Sequence, residues 1–463
     1  MSRRPEKNNA LYPLHKKQIP NHNNRLQKVL FDGTSRLTDH FPRAGARFLD
    51  FTFPPLVNNL LLSTLFTHHN RSVVRGIGSF RRFLVIPDFI HIGDAVMTQS
   101  VLTALRSFFP DAHVDYVVNQ AAFPIIEGNP EATRVLPFLI NGPLSSLTTL
   151  KTLRDMIQAG SYDLVLNYCL LVKDKDIKLT GTRVLNVLTY APDIVRSEGQ
   201  PDEISHFIYN NYRFIWDQLS PVAKPVRREC FKGVRLTLDD SAVEQAARVA
   251  QDMGLSSDIP VILFNPDAAS PFTRMPFEKQ AELLGRLAQP KIFILLGAGR
   301  TKAGIGNRLR ETLSPQLRHK VNIIPVKTSL PAYSALIDFC DVFISCDTGP
   351  LHIAAARKYS RTGRYAFRNR TAVLSLFGAT PARMSGYDSF QPGYLAANQD
   401  APSWSYTARS PCRNITCLNK IYKTCRSIRC FEEVDMEGLA GRVISYLEVL
   451  ADQTPIQREP ATA

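Results

Sequence analysis

Short apolar runs that alternate with helix-like segments constrain the fold of this chain most strongly. Most of the runs lack the polar alternation of a strand with one wet face, which is typical of parallel strands buried on both faces. The runs form two series, and a stretch rich in proline and charge, 220–228, separates them. The predicted strands are Phe83–Ile86, Val114–Val118 and Leu164–Leu166, and then Val261–Phe264, Ile292–Leu296, Val321–Ile324, Val342–Ser345 and Val373–Phe377. This pattern predicts an α/β protein.

The same pattern divides the chain into three predicted parts. Residues 1–80 are polar and basic and form an N-terminal extension. Residues 81–225 form a first α/β domain, which ends in a helix that includes Arg213–Leu219. Residues 226–463 form a second α/β domain, closed by an amphipathic helix at Glu437–Leu450. A length of 463 residues and an apolar content of 44% are sufficient for two globular domains and an appendage.

Most of the net charge of +15 lies in the extension, because residues 1–82 hold 14 Lys and Arg residues against four Asp and Glu residues. Such a segment favours an anionic partner, and a membrane surface is favoured over nucleic acid since no nucleic-acid-binding motif is present. The apolar window Phe51–Phe66 is too short and too polar to span a bilayer; it either lies on a membrane or packs against the first domain. The chain start lacks the apolar core of a secretory signal, so a cytoplasmic location is expected.

The turn after the Val342–Ser345 run carries a candidate phosphate site. It reads Asp347-Thr348-Gly349-Pro350-Leu351-His352 and opens an Ala-rich helix, with Pro near the first helical position. A helix N-terminus presents unpaired N–H groups and positive dipole to an anion, and the glycine allows close approach of a ligand. The alternative is an ordinary strand–helix crossover in which Asp347 and Thr348 only cap the helix.

A second turn, after the Phe83–Ile86 run, carries the pair Gly93-Asp94 in front of a helix predicted from Ala95 to Phe109. Asp94 has two compatible interpretations. It is an N-cap, a common role of Asp, or a carboxylate at the carboxyl edge of a sheet, where open α/β sheets bind ligands.

Six stretches, in order from Phe83 to Leu447, together resemble glycosyltransferase family 9, the ADP-heptose:lipopolysaccharide heptosyltransferases. They are Ile92-Gly93-Asp94 with the helix Val96–Arg106, Phe109-Pro110-Asp111-Ala112, Glu127-Gly128-Asn129-Pro130, Asn265-Pro266 with Arg274-Met275-Pro276, Asp347 to His352, and Leu376-Phe377-Gly378-Ala379-Thr380-Pro381. The resemblance implies the GT-B fold, in which two Rossmann-like domains face each other across a cleft; here a basic N-terminal extension precedes them.

The resemblance also implies an inverting transfer of heptose from ADP-heptose to a lipopolysaccharide-core or related glycan acceptor, at the cytoplasmic face of the inner membrane. Asp94 matches the general base of the family. Gly93, Arg274, Asp347, Thr348, Gly349, Pro350, Leu351 and His352 are the expected donor-binding residues. Because a cation and a helix N-terminus would stabilise the departing diphosphate, no metal is expected. For Arg274, the alternative is a surface charge in front of a helix.

Other interpretations remain open from the sequence. Asp174-Lys175-Asp176 fits the Asp-x-Asp pattern of metal-dependent glycosyltransferases, but it lies in an alternating charge run typical of a solvated face. Pro87-Asp88 stands where the family carries an Arg, and Asn167 where an acidic residue is common. The chain could therefore use another nucleotide sugar or a protein acceptor, or be a non-catalytic, membrane-associated binding module.

Two further segments have open roles. The stretch 357–370 is predicted to be an inserted loop with six positive charges, which either contacts an acidic acceptor or membrane or is merely solvated. Cys412, Cys417, Cys425 and Cys430 cluster without zinc-ribbon spacing, which leaves a metal site or reduced thiols. Cys169, Cys230, Cys340 and Cys346 are scattered and are predicted to be reduced core residues.

Overall fold

The computed structural model describes residues 73–74, 76–87, 91–138, 147–169, 177, 180–186, 207–225, 234–255, 259–268, 273–297, 304–360, 371–378, 382–387, 402–407, 431–432 and 434–452. These residues form two parallel β-sheets with helices packed on them. Within these ranges, no helix combines the length and the apolar character that crossing a bilayer requires.

The first sheet has five strands in the order β3-β2-β1-β4-β5, and every pairing in it is parallel. Its strands are β1 (Arg82–Ile86), β2 (His113–Asn119), β3 (Arg134–Phe138), β4 (Leu164–Asn167) and β5 (Arg183–Asn186). The helices of this part are α1 (Ile92–Thr98), α2 (Ser100–Phe108), α3 (Phe123–Ile126), α4 (Leu147–Gly160) and α5 (Phe207–Leu219). Helix α5 packs against α2 on one side of the sheet.

The second sheet has six parallel strands in the order β11-β10-β9-β6-β7-β8. Its strands are β6 (Val261–Asn265), β7 (Phe293–Leu296), β8 (Val321–Ile323), β9 (Val342–Cys346), β10 (Ala372–Phe377) and β11 (Ser403–Thr407). Its helices are α6 (Asp240–Asp252), α7 (Phe277–Leu287), α8 (Gly304–Glu311), α9 (Pro315–Arg318), α10 (Leu330–Leu336), α11 (Gly349–Ser360), α12 (Ala382–Ser385) and α13 (Met436–Asp452). The closing helix α13 packs on α7, as its predicted amphipathic pattern requires.

All eight predicted strands are confirmed, with shifts of at most one residue at either end. Three edge strands, β3, β5 and β11, were not predicted. An edge strand is less buried than a central one and therefore carries a weaker apolar signal; β3, for example, includes Pro137 and is largely accessible. The two sheets lie within the two predicted α/β domains, whose boundaries stay a prediction.

Residues 234–239 have no regular secondary structure and precede α6. Val234, Leu236 and Leu238 are buried in a core that also includes residues of α1, α2, α10 and α11. A Cβ built on Gly128 would lie 3.3 Å from the carbonyl oxygen of Thr237, so this glycine lets the segment approach the first domain closely. The two domains thus share one continuous apolar core.

The loop predicted at 357–370 is wrong at its start, where Arg357 belongs to a helix. Helix α11 continues to Ser360, and the side chain of Arg357 is buried, forming an ion pair with Asp338 and donating a hydrogen bond to the carbonyl oxygen of Leu236 at 2.6 Å. A buried charge is stable only when paired in this way. Arg357 is therefore part of the core rather than a loop charge.

Several predicted features lie outside the described residues. They are residues 1–72 of the extension with the window Phe51–Phe66, the Asp174-Lys175-Asp176 motif, the rest of the insertion at 361–370, Cys230 and the cysteine cluster at 412–430. The end of the predicted extension is described, and there the prediction of an appendage is wrong, because Val73, Val74, Ile77 and Phe80 are buried in the core with β1. The prediction for the remaining cysteines is confirmed, because Cys169, Cys340 and Cys346 are buried free thiols.

Candidate active site between the two sheets

The predicted helix Ala95–Phe109 is wrong at its start and is divided in two. Helix α1 begins at Ile92, with His91 as N-cap and no side-chain capping bond, and α2 follows after Gln99. Asp94 is consequently in the first turn of α1 and is not its N-cap, so the simple capping interpretation fails. A carboxylate in the first turn still interacts favourably with the helix dipole.

Asp94 is half-buried, at the carboxyl edge of the first sheet. Its backbone carbonyl accepts a hydrogen bond from Thr98 Oγ1 at 2.8 Å. The charge of its carboxylate acts on the buried Tyr116. Burial raises the pKa of Tyr116 well above its usual value, and the negative charge of Asp94 adds to that shift. Tyr116 donates its hydroxyl hydrogen to the carbonyl oxygen of Ala95 at 2.6 Å, which ties α1 to β2.

The second turn, between β9 and α11, is braced from β6. Asn265 Nδ2 donates to Ser345 Oγ at 3.0 Å and lies 3.3 Å from Thr348 Oγ1, while the two hydroxyls are 2.9 Å apart. The backbone N–H of Leu351 donates to the carbonyl oxygen of Thr348 at 3.1 Å, so the helical hydrogen bonding starts at Thr348. The turn is therefore held in one conformation by its own side chains.

The two turns meet. A Cβ built on Gly93 would lie 2.6 Å from His352 Cδ2 and 3.3 Å from Gly349 Cα, and helices α1 and α11 pack against each other. Because carbon atoms prefer separations of about 3.5–4.0 Å, only a glycine fits here. The structure therefore brings Gly93 and Asp94 of the first sheet beside Gly349 and His352 of the second.

His352 lies inside this contact, with only 3% of its surface exposed. Its Nδ1 is 2.8 Å from the hydroxyl of Tyr387, and its Nε2 is 3.7 Å from Asp347 Oδ1. Asp347 is more accessible, with 17% of its side chain exposed. Asp347 is thus the member of this group that a ligand in the cleft can reach most easily.

Arg274 lies beside the same turn. Its guanidinium donates to Asp267 Oδ1 at 3.1 Å, and 38% of its side chain is exposed. Burial raises the pKa of the Cys346 thiol to about 12, with Asp347 adding to the shift and Arg274 opposing it, so both charges act on the end of β9. A thiol with this pKa is not a nucleophile near neutral pH. Arg274 instead supplies an accessible positive charge at the turn.

Three residues of the site were missed in the sequence. Asn265 lies in a matched motif and follows a buried strand, a position that could have suggested a role at the sheet edge. Asp267 and Tyr387 gave no signal, because Asp267 acts by pairing with Arg274 and Tyr387 reaches His352 from 35 residues further along the chain. Pro350 and Leu351 are the second and third residues of α11, as predicted.

The sequence profile of glycosyltransferase family 9 (heptosyltransferase) matches residues 232–423. Lipopolysaccharide heptosyltransferase 3 of Escherichia coli (strain K12) is 26% identical over 310 residues, which cover 62% of this chain and 80% of that protein. Lipopolysaccharide heptosyltransferase 2 of Salmonella typhimurium (strain LT2) is 22% identical over 279 residues, which cover 57% of this chain and 77% of that protein.

Solved structures share the architecture. The E. coli ADP-heptose lps heptosyltransferase II has a TM-score of 0.52 and 16% identity, covering 80% of this chain and 99% of that one. A family 9 glycosyltransferase from Veillonella parvula DSM 2008 has a TM-score of 0.52 and 18% identity, covering 80% and 97%. These matches confirm the predicted GT-B fold. Together with the ordered motifs and the family profile, they identify this chain as a glycosyltransferase similar to those of family 9.

Proposed function

We propose that the protein transfers a heptose from ADP-heptose, with inversion, to a lipopolysaccharide-core or related glycan acceptor. The observation that carries the proposal is the contact between the first turn of α1, with Asp94, and the turn Asp347–His352 at the start of α11. It joins a carboxylate of one domain to a candidate diphosphate site of the other. Relatives that are lipopolysaccharide heptosyltransferases support the choice of sugar and acceptor.

In the proposed reaction, Asp94 accepts the proton of the acceptor hydroxyl as its oxygen bonds to the anomeric carbon of the sugar. The bond between that carbon and the diphosphate oxygen breaks, and the diphosphate keeps the electron pair. The base belongs to the first domain and the diphosphate site to the second, so in this proposal they lie on opposite sides of the sugar. The acceptor then attacks the face opposite the leaving group, and the configuration at the anomeric carbon is inverted.

The departing diphosphate gains negative charge, and two groups would stabilise it. The N–H group of Gly349, the first residue of α11, lies at the positive end of the helix dipole. Arg274 adds a guanidinium, which binds phosphate oxygens in a bidentate fashion. We expect Asp347 and Thr348 to contact the sugar or phosphate, and the reaction to proceed without a metal ion.

The proposed location is the cytoplasmic face of the inner membrane, where the protein would bind peripherally. The support is the positive excess of residues 1–82, since each Lys or Arg near an anionic surface contributes roughly 1 kcal/mol and salt screens the attraction. A chain that starts at Ser72, and so keeps the buried Val73, Val74 and Ile77, should keep donor binding and lose salt-sensitive binding to anionic vesicles. Equal vesicle binding by the full-length and the truncated protein would mean that another part of the protein binds the membrane.

The proposed activity is tested by a transfer assay with purified protein, a truncated lipopolysaccharide-core acceptor and a panel of nucleotide sugars. We expect product with ADP-heptose and far less with UDP- or GDP-linked sugars. A preference for another nucleotide sugar, or transfer to a protein acceptor alone, would contradict the proposed substrates while leaving the similarity to family 9 intact.

A further inference from the structure

Three side chains form a row that leads from the protein core to the cleft. Tyr387 is 1% exposed, His352 is 3% exposed, and the Asp347 side chain is 17% exposed. The Tyr387 hydroxyl contacts His352 Nδ1 at 2.8 Å, and His352 Nε2 faces Asp347 Oδ1 at 3.7 Å. The accessible end of the row is a carboxylate, and both other members are buried behind it.

The charge of Asp347 determines which imidazole nitrogen carries the hydrogen. A lone pair on Nε2 would be repelled by the carboxylate, whereas an N–H at Nε2 is attracted to it. The carboxylate therefore favours an N–H at Nε2, and Nδ1 then accepts a hydrogen bond. The Tyr387 hydroxyl, at 2.8 Å, is the donor that Nδ1 requires.

Tyr387 is itself held firmly in place. It follows Gly386, where a built Cβ would lie 2.5 Å from the carbonyl oxygen of Ala382 and 2.5 Å from Ser405 Oγ. Gly386 therefore packs tightly between α12 and β11, and this close packing restricts the position of the adjacent Tyr387. On the other side of the imidazole, Gly93 closes the space around His352 Cδ2. The ring of His352 is confined from both sides.

We propose that Tyr387 and His352 are positioning residues, which hold Asp347 in the orientation that binds a hydroxyl of the donor sugar. This inference rests on the proposed function, because it assigns Asp347 to the sugar rather than to the nucleotide. His352 acts through Asp347, since its own surface is nearly inaccessible. Specificity for the sugar is thus fixed by a hydrogen bond made in the protein core.

The test is Tyr387→Phe, which removes one oxygen and retains the aromatic ring. Calorimetry should show that the affinity for ADP-heptose falls about tenfold, because an imidazole released from Tyr387 no longer holds Asp347 in its binding orientation. The affinity for ADP should not change, because ADP lacks the sugar. In the transfer assay, KM for the donor should rise more than kcat falls. Equal losses for ADP and ADP-heptose, or no loss for either, would overturn the proposal.

A double-mutant cycle with Asp347→Asn shows whether Tyr387 acts through Asp347. In the Asp347→Asn background, adding Tyr387→Phe should cost little further affinity for ADP-heptose. Fully additive losses would mean that Tyr387 acts by another route. Tyr162→Phe is the matched control, because the Tyr162 hydroxyl also donates to a buried group, Asp115 Oδ2 at 2.5 Å, but at the opposite edge of the first sheet. It should leave both affinities unchanged.

A spectroscopic readout is independent of the proposed activity. NMR shifts of the imidazole nitrogens, with His352 assigned by comparison with His352→Gln, should identify hydrogen at Nε2 in the wild type. Tyr387→Phe should shift the Nδ1 signal, and Tyr162→Phe should not. If the wild type neither binds ADP-heptose more tightly than ADP nor transfers its sugar, the proposed function fails. The hydrogen bond between Tyr387 and His352 is then tested by NMR alone, and an unshifted Nδ1 signal in Tyr387→Phe overturns it.

Discussion

Gly93→Ala should uncouple the two domains. The added Cβ would lie 2.6 Å from His352 Cδ2 and 3.3 Å from Gly349 Cα, so the helices must separate by roughly 1 Å to reach ordinary carbon contact. The imidazole cannot rotate away, because Tyr387 binds its Nδ1. Overpacking of this kind costs about 1–3 kcal/mol. This free energy lowers the equilibrium population of the arrangement in which α1 and α11 are in contact by roughly 5- to 150-fold.

The assay for Gly93→Ala is the ratio kcat/KM, measured beside thermal unfolding. We expect the ratio to fall by that factor and the unfolding temperature to fall as well, because the domains share one apolar core and cannot separate without weakening it. Alanine also favours a helix over glycine by about 1 kcal/mol, which offsets part of any loss of stability.

Gly441→Ala is the matched control, since Gly441 lies in helix α13 and a Cβ there would contact nothing within 4 Å. It should keep full activity. Comparing Gly93→Ala in the wild type and in His352→Ala identifies the clashing partner, because the substitution should cost less once the imidazole is gone. Activity of Gly93→Ala within about twofold of the wild type would refute the reasoning that a close contact couples the domains.

Three further outcomes are expected. Arg274→Ala should weaken ADP binding and transfer by about 10- to 150-fold, with Arg274→Lys losing less, and calorimetry that shows unchanged affinity would make Arg274 a surface charge. Transfer should persist in excess chelator, and restoration of a lost activity by manganese or magnesium would contradict this. Burial raises the pKa of Asp115, but hydrogen bonds from Arg134 and Tyr162 and the positive charges of His113 and Arg134 outweigh it and hold that pKa below its usual value. The stability gained from a depressed pKa is present above the unfolded value, so the free energy of unfolding should fall as pH drops below about 4, and less so in Arg134→Met.

Much of the fold could be predicted because central parallel strands are buried on both faces. Val342–Ile344 and Val261–Phe264 are continuous apolar runs for this reason, and residues of the site, Ser345 and Asn265, follow them directly. Edge strands such as Ser403–Thr407 carry mixed residues and resemble loops in the sequence. Arg357 was assigned to a loop because its partner, Asp338, lies on another element.

The site divides in the same way. Gly93, Asp94 and the turn that starts at Asp347 follow strands directly, so local patterns predicted where they lie. Their mutual contact depends on how the two sheets face each other, and no local pattern encodes that arrangement. Tyr387 is a case of the same kind, since its role arises only from the packing of α12 against β11 and α11.

The central claim is that a carboxylate on α1 and an anion site on α11 form one transfer site. It is tested most directly by single-turnover transfer and ADP-heptose affinity in Asp94→Asn, with Asp240→Asn as control because Asp240 also lies in the first turn of a helix. The account predicts that Asp94→Asn lowers the transfer rate by about a hundredfold to ten-thousandfold with donor affinity nearly unchanged, and that Asp240→Asn affects neither. Near-normal transfer by Asp94→Asn would contradict it.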